Sequence, residues 1–178
     1  MTIDRQFAEL GSLVEALEGA GKTPQSTDTE KLCQNLATLF GVDPDEVALL
    51  VLNDKDKSLT FLVPQKLAGV GTIPLTSTSA LAAKSARDRR AEVVNNFSAT
   101  RHATVFEGVP MGRSPGELIQ KIMSAPILKD AKVVGVVQIS RKGRTISEAG
   151  PDFTQKDLRT LTSLSPLLDR VVRLFELP

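Results

Sequence analysis

The sequence predicts an α+β domain with an antiparallel sheet of five or six strands and helices packed mainly on one face. Three observations predict this fold. Two short apolar runs, 46–52 and 59–63, flank a short polar stretch, which is typical of a β-hairpin. The β-branched run within 133–143 is typical of a strand buried on both faces. At both ends of the chain, apolar residues recur at helical spacing.

Two helices are predicted before the first strand. The first covers residues 5–18, and the second begins near Thr27 or Thr29 and ends at Gly41. The apolar stripe of the first helix consists of Phe7, Leu10, Val14 and Leu17. The stripe of the second consists of Leu32, Leu36, Leu39 and Phe40.

The middle of the chain predicts shorter elements. Residues 72–75 are predicted as an edge strand, because Pro74 cannot donate to a central ladder. Residues 80–86 predict a helix that ends in a charged run. The spacing in 118–128 fits a helix or a strand, and Pro126 argues against a continuous helix.

The last helix is predicted to run unbroken from Thr154 to about Glu176. Thr154 is a suitable N-cap, and Asp157 is an acidic residue in the first turn. Apolar residues repeat at spacings of three and four, as in the seam of a two-stranded coil: Leu161, Leu164, Leu168, Val171 and Phe175. Further apolar residues predict a second packed side, so the helix would lie between the sheet and another helix. That helix is the N-terminal one or belongs to a second copy.

Composition and charge exclude several classes of function. The chain has 178 residues, enough for one compact domain, and a formal net charge of +1. This balance provides no long-range field for nucleic acid or an anionic membrane. No apolar run approaches the roughly 18 residues of a membrane span, and because residues 1–10 carry charges among their apolar residues we do not expect a signal peptide there. The single cysteine excludes an internal disulfide, and we expect a cytoplasmic protein.

The stretch from the glycine-containing strand 133–143 to the capped helix at Thr154 resembles the end of a GAF domain, a small-molecule-sensing module. The resemblance covers roughly residues 41–172. It implies a GAF-like, PAS-like fold and favours a strand in 118–128. It also implies three parts of the chain: N-terminal helices in 1–40, a sheet domain in 41–157, and a C-terminal helix in 158–178 that packs with the N-terminal helices.

One branch of the GAF family, which binds cyclic nucleotides, carries a signature of Asn, Lys, Phe, Asp and Glu. Lys142, Phe153 and Asp157 match this signature. Arg141 stands at or near the Asn position and Leu158 at the Glu position, which argues against cyclic-nucleotide binding. The matching residues predict an ion pair between Lys142 and Asp157 that ties strand to helix, with Phe153 beneath it.

The resemblance implies a non-enzymatic sensory or regulatory domain. A small molecule would bind between the sheet and the 97–116 segment, and terminal helices of a homodimer would transmit the signal to a separate output protein. The ligand-binding candidates are Phe61, Phe97, His102, Phe106 and Arg113. Arg113 lies in a Gly- and Pro-containing loop of the kind that covers the pocket in GAF domains, and is the candidate for an anion contact.

Four of these five candidates, all except Arg113, also have a structural explanation. The three phenylalanines could line an apolar pocket or pack in the core. His102 could ligate haem or titrate, but a single histidine in a polar segment is more often a hydrogen-bonding or exposed side chain. No second histidine is present, and the sequence predicts no metal site and identifies no cofactor.

Three further features have functional and structural interpretations. Cys33 could attach a bilin, but its Leu-rich helix favours core packing. Asp54 and Asp56 resemble a fragment of a calcium loop without its remaining ligands, which favours a solvated turn. The arginines within 87–90 could bind a phosphate or an acidic partner, or complement the end of a helix.

Two alternative functions remain open at this point. One is a protein–protein scaffold whose pocket is filled by its own side chains. The other is a redox enzyme resembling the GAF-fold methionine sulfoxide reductases, whose cysteines cluster around the pocket; the lone Cys33 argues against it. The sequence contains no nucleophile elbow, P-loop or dinucleotide fingerprint, so we do not expect an enzyme.

Overall fold

A computed structural model describes residues 2–64, 67–68, 71–97 and 117–175. Its helices are α1 (Ile3–Gly19), α2 (Ser26–Phe40), α3 (Leu81–Asp88), α4 (Gln155–Ser163) and α5 (Ser165–Val172), with a 3₁₀ turn at Pro44–Glu46. Its strands are β1 (Val47–Asn53), β2 (Ser58–Val63), β3 (Thr72–Pro74), β4 (Glu92–Val94), β5 (Leu118–Lys129) and β6 (Lys132–Gly143).

Within these ranges the strands form one antiparallel sheet in the order β3-β2-β1-β6-β5-β4. The predicted α+β class and antiparallel sheet are therefore confirmed. The strand interpretation of 118–128 is correct, and β3 is an edge strand as Pro74 predicted. Gly135 allows β6 to approach β1 closely, because a Cβ atom there would lie 2.3 Å from the carbonyl oxygen of Leu50.

Four helices pack on one face of the sheet, which we call the helical face. Their apolar residues share one buried cluster with alternate residues of β1, β5 and β6. The helices contribute, among others, Leu10, Val14, Leu32, Leu36, Leu161, Leu164 and Leu168. The strands contribute, among others, Val47, Leu49, Met123, Val137 and Ile139. The terminal helices therefore pack on one face, as predicted.

The short helix α3 packs against the opposite face, which we call the α3 face. Two smaller clusters form there. One contains Leu50, Phe61 and Val136 with small residues of α3, and the other contains Leu81, Phe97 and Ile122. The alternation of side chains along each strand separates these clusters from the core of the helical face.

The prediction of one unbroken C-terminal helix is wrong. The chain forms two helices that meet at Leu164, and Pro166 lies in the first turn of α5. Proline has no N–H to donate, and its ring collides with the carbonyl four residues earlier, so it breaks the helix. The predicted coil residues from Leu161 to Val171 are buried in the chain's own core, so this seam is already occupied.

The N-terminus of α4 has the predicted cap. Thr154 Oγ1 accepts from the backbone N–H of Asp157, and the Asp157 carboxylate accepts from the N–H of Thr154. The predicted ion pair between Asp157 and Lys142 does not form among the described residues. The Lys142 ammonium instead donates to the backbone carbonyl of Asp45 at 3.0 Å. The physical reason is that the Asp157 carboxylate is already used in its own helix cap.

Candidate functional site

Polar side chains are buried among apolar ones on the α3 face. Ser124 on β5 lies directly opposite Gln138 on β6, and Ser140 follows two residues later on the same face. Ser85 reaches this set from α3. All four are at least nine-tenths buried, and Ser124 is fully buried. We call Ser85, Ser124, Gln138 and Ser140 the polar row.

Hydrogen bonds connect three members of the polar row. The hydroxyl oxygens of Ser85 and Ser124 are 2.7 Å apart, and the side-chain amide of Gln138 donates to Ser124 Oγ at 3.2 Å. The fourth member, Ser140, donates to the backbone carbonyl of Glu46 at 3.3 Å. These contacts fix hydroxyl and amide dipoles inside an apolar layer, where hydrogen bonds are stronger than in water. The hydrogen bonds therefore fix the orientation of these buried hydroxyl and amide groups.

The structure places two of the predicted ligand-binding residues on this face. Phe61 packs near Leu59 and Ile73, while Phe97 packs with Leu81 and Ile122. They belong to different clusters, both of which include residues of α3. His102, Phe106 and Arg113 lie outside the described residues.

The polar row was not predicted from the sequence. Its signal was present in Val136-Val137-Gln138-Ile139-Ser140, where two polar residues occupy alternate positions of an apolar strand. Read as a strand buried on both faces, this run already required Gln138 and Ser140 to be buried. Ser85 and Ser124 lack such a signal, because serine is common on exposed helices and strand ends.

A second set of contacts fixes the loop between β6 and α4. The Arg141 guanidinium lies 4.7 Å from the centre of the Phe153 ring and donates to the carbonyls of Gly41 and Phe40. The Asn95 side chain donates to the carbonyl of Phe153 and accepts from its N–H. Phe153 is therefore buried as predicted, but Arg141 and Asn95 hold it.

The buried Lys121 closes the same loop. Its ammonium donates to the carbonyl of Gly150 at 2.6 Å and to the Asp152 carboxylate at 2.7 Å. A buried ammonium is costly unless it is paired and hydrogen-bonded, and both conditions are met here. This side chain therefore has a structural explanation.

Cys33 lies on the helical face, away from the polar row. It forms part of the wall of a cleft of about 340 Å³ between α2, the 3₁₀ turn and the end of β2. Burial, with a smaller contribution from the Glu30 carboxylate, raises the pKa of the Cys33 thiol to about 11. The thiol is therefore protonated at neutral pH and packs as a small apolar group, in agreement with the core interpretation.

Three carboxylates meet beside this cleft. Oxygens of Asp43, Asp45 and Glu46 lie within 4.8 Å of one another. The Glu46 carboxylate accepts from the N–H of Asp43 at 2.9 Å and from the N–H of Lys142 at 2.6 Å. These bonds give the buried Glu46 a role in joining the 3₁₀ turn to β6.

Two further charged candidates, Asp54 and Arg87, bind within the fold. Asp54 pairs with Lys57 and Lys132, which lowers the pKa of its carboxyl group. Arg87 donates to the carbonyls of Leu75 and Ser77, at 2.5 and 2.6 Å. Arg87 thus holds the chain between β3 and α3.

A six-stranded antiparallel sheet with terminal helices on one face and a short helix on the other places the chain in the class of small α+β domains built on a central antiparallel sheet. The family model of the GAF domain matches residues 27–172. The chain therefore belongs to the GAF domain family, as the sequence resemblance predicted. No curated protein matches the sequence.

Solved structures with the same fold come from proteins of different activities. The GAF domain of an Acinetobacter phosphoenolpyruvate-protein phosphotransferase is 14% identical, with a TM-score of 0.65 over 97% of this chain and 95% of that one. A methyl-accepting chemotaxis protein, residues 122 to 287, is 15% identical, with a TM-score of 0.62 over 91% and 96%. The free methionine-R-sulfoxide reductase of Neisseria meningitidis, in complex with its substrate, is 15% identical, with a TM-score of 0.60 over 93% and 87%.

At these identities the similarity establishes the fold alone.

Within the described residues, no helix has both the length and the apolar character that a bilayer span requires.

Proposed function

We propose that the chain is a non-enzymatic sensory or regulatory GAF domain of the cytoplasm. It binds a small molecule on the α3 face of the sheet, beside the polar row. The resulting change passes through the terminal helices of a homodimer to a separate output protein. The polar row is the observation that carries this proposal.

Stability alone gives a weak reason for the polar row. A buried hydrogen bond contributes only about 0.5–1.5 kcal/mol net, and replacing both partners by apolar groups of the same shape is nearly neutral. An apolar layer at Ser124 and Gln138 would therefore satisfy the fold. Buried hydroxyl and amide groups at fixed positions are what a site needs to orient a small ligand.

A signalling role is supported by the occurrence of the same fold in a methyl-accepting chemotaxis protein. The sulfoxide reductase structure raises the alternative of a redox enzyme. A thiol-based reduction needs a thiolate near the substrate. The only cysteine of this chain, Cys33, has a raised pKa and lies on the helical face, which favours the non-enzymatic proposal.

The ligand can be tested by native mass spectrometry of the purified protein and by a metabolite screen that follows the melting temperature. Because a ligand that binds only the folded state stabilises it, the melting temperature should rise with ligand concentration. Gln138→Leu should abolish that rise while the variant remains folded. Gln34→Leu, on the exposed side of α2, is the matched control and should retain it.

Two outcomes would contradict the ligand proposal. A screen in which no compound changes the melting temperature, with no co-purified compound, would favour the scaffold alternative. Equal responses of Gln138→Leu and the parent protein would place the ligand elsewhere.

The dimer is tested separately by sedimentation velocity. Ile3 on α1 is 44% exposed, and Phe7 and Leu13 are only partly covered, so α1 retains apolar surface outside the core. We expect a dimer at about 50 µM that dissociates on dilution, as mass action requires. A monomer at that concentration would remove the dimer from the proposal.

A further inference from the structure

The cleft beside Cys33 carries charged groups that the proposed function does not use. It lies on the helical face, between α2, the 3₁₀ turn and the end of β2, and its volume is about 340 Å³. This volume is within the roughly 300–1,000 Å³ typical of small-molecule sites. We call it the α2 cleft. Its described lining residues include no member of the polar row.

Both charged groups that line the α2 cleft are hydrogen-bond acceptors. They are the carboxylates of Glu30 on α2 and Asp45 in the 3₁₀ turn. An ionised carboxylate accepts hydrogen bonds and donates none. Among the described residues, the Glu30 carboxylate has no hydrogen bond and no ion pair. An occupant of the cleft can therefore donate to it.

The Cys33 thiol is a third polar group in the wall of the α2 cleft. Cys33 is only 6% exposed, and its thiol has no hydrogen-bond partner within the described part of the chain. Its sulfur is a weak acceptor. Burial raises the pKa of this thiol and the Glu30 carboxylate adds to the rise, so the charge of Glu30 acts inside the cleft. The same charge would stabilise a cation beside the sulfur.

The cations near the α2 cleft do not cancel its negative charge. Four carboxylates lie in the cleft or directly beside it, those of Glu30, Asp43, Asp45 and Glu46. Three basic residues adjoin the same elements: Lys31 on α2, and Arg141 and Lys142, which bind backbone carbonyls there. Four carboxylates against three cations leave an excess of one negative charge. One bound ammonium group neutralises this excess.

Two proline rings give the α2 cleft apolar surface. Pro44 is exposed in the 3₁₀ turn, and Pro64 is half-buried after β2. A proline ring has no N–H to donate, so it offers only carbon to an occupant. Contact with these rings therefore favours a hydrocarbon group over a polar one.

We propose that the α2 cleft binds a small organic cation, a primary aliphatic amine in its ammonium form. The ammonium group lies at Glu30 and Asp45, and the hydrocarbon chain lies against Pro44 and Pro64. An ammonium group carries three donors and no acceptor, which matches two carboxylates and a sulfur. The carboxylates repel an anion of the same size, and a neutral alcohol leaves the excess charge in place. Because the cleft is separate from the polar row, this binding is independent of the proposed function.

The experiment is a titration of the full chain with pentylammonium chloride at pH 7, followed by NMR of the backbone amides. The amide signals of Glu30, Cys33 and Asp45 should shift and saturate, while those of Ser85 and Ser124 on the α3 face should not. Pentanol and pentanoate have the same chain length without the positive charge. Both should bind at least about tenfold more weakly, the factor expected when a charge-assisted hydrogen bond is lost.

Glu30→Gln tests the charge of the α2 cleft, because Glu30 is exposed and its removal breaks no ion pair among the described residues. It should weaken pentylammonium binding about tenfold and leave pentanol binding unchanged. Glu15→Gln, at an exposed position of α1, is the matched control and should bind pentylammonium like the parent protein. Denaturant unfolding of both variants verifies that they fold.

Several results would overturn this inference. They are the absence of saturable shifts at the amides of the α2 cleft, equal affinity for pentylammonium and pentanol, and equal behaviour of Glu30→Gln and Glu15→Gln. Shifts confined to Ser85 and Ser124 would also overturn it, because the amine would then occupy the α3 face.

Discussion

The two faces of the sheet are built from the same strands but differ in composition. Along β6, Val137 and Ile139 point to the helical face and meet four helices in one apolar cluster. Gln138 and Ser140, between and after them, point to the α3 face and lie beside one short helix. Because successive side chains of a strand point to opposite faces, the apolar residues of β6 lie in the core of the helical face and its buried polar residues lie on the α3 face.

The difference is also seen in how buried polar groups are satisfied. At one end of the helical face, Lys121 and Arg141 bind backbone carbonyls of loops, so they fix the chain itself. In the polar row, Ser85, Ser124 and Gln138 bind one another's side chains. Side chains that bind one another can be replaced together without disturbing the backbone. The largest apolar cluster therefore lies on the helical face, and the α3 face is the one on which we propose that a ligand binds.

Truncation on the helical face should have the largest effect on stability. Leu168 is fully buried between α5 and the sheet, so Leu168→Ala creates a cavity and should cost about 3–5 kcal/mol. Denaturant unfolding measures this cost. Leu118→Ala is the control, since Leu118 is 43% exposed and its truncation should cost less than about 0.5 kcal/mol. Similar costs for both variants would show that the helical face is not the stabilising one.

The second prediction concerns the thiol of the helical face. With its pKa raised from 9.0 to about 11, Cys33 has about one-hundredth of the thiolate of an ordinary cysteine at pH 8. Native protein should therefore react about a hundredfold more slowly with 4,4′-dithiodipyridine than protein unfolded in denaturant. Equal rates would show that Cys33 is accessible and ionised in the folded chain.

The same shift has a consequence at alkaline pH. A pKa raised by folding means that the folded state holds its proton more tightly. The contribution to stability is complete below pH 9 and is lost as the pH rises through about 11. Cys33→Ala should lack this part of the alkaline loss. An identical pH dependence of the parent protein and the variant would contradict the raised pKa.

Substitution in the polar row should have a smaller, coupled effect. Ser124→Ala leaves Ser85 and Gln138 without their shared oxygen, at a cost of about 1–3 kcal/mol. The double variant Ser85→Ala/Ser124→Ala should cost less than the sum of the single variants, with a coupling of about 1 kcal/mol in urea unfolding. Ser163→Ala on the exposed side of α4 is the control. Additive costs would mean that the two hydroxyls do not interact.

Much of the fold follows from local patterns in the sequence. Helical spacing in α1 and α2, the Thr154 cap and the β-branched run of β6 each determine an element almost alone. The break at Leu164 was missed because the apolar spacing continues through it, and only the backbone chemistry of Pro166 interrupts it. The spacing of apolar residues and the backbone restriction imposed by proline are separate signals. At Leu164 the proline restriction determines where the helix ends.

The candidate site was harder to predict because it depends on pairs of residues far apart in the chain. Ser85 and Ser124 meet only because α3 crosses the sheet at β5. Asn95 and Phe153 meet only because β4 ends beside the start of α4. Phe61 and Phe97 were predicted from residue type and do lie on the α3 face. Their contact with a ligand stays a prediction, and residue type gave no indication of the hydrogen-bonded groups on this face.

The smallest effect is expected at the edge of the helical face, where Glu18 of α1 pairs with Arg170 of α5. The pair is exposed, so solvent screens it. The hydrogen bond from Arg170 lowers the pKa of Glu18 below its ordinary value of 4.5. A carboxyl pKa lowered by folding contributes stability above the unfolded value, and this is lost as the pH falls through the folded value.

Glu18→Gln should therefore lower the melting temperature slightly at pH 7, by less than any core substitution. The difference from the parent protein should disappear as the pH falls below 4.5, and also in 1 M salt, where the screening length is about 3 Å. Glu30→Gln, on the exposed side of α2, is the matched control. A difference that persists in 1 M salt would contradict this prediction. It would mean that the Glu18 side chain stabilises the contact between α1 and α5 by packing and not by its charge.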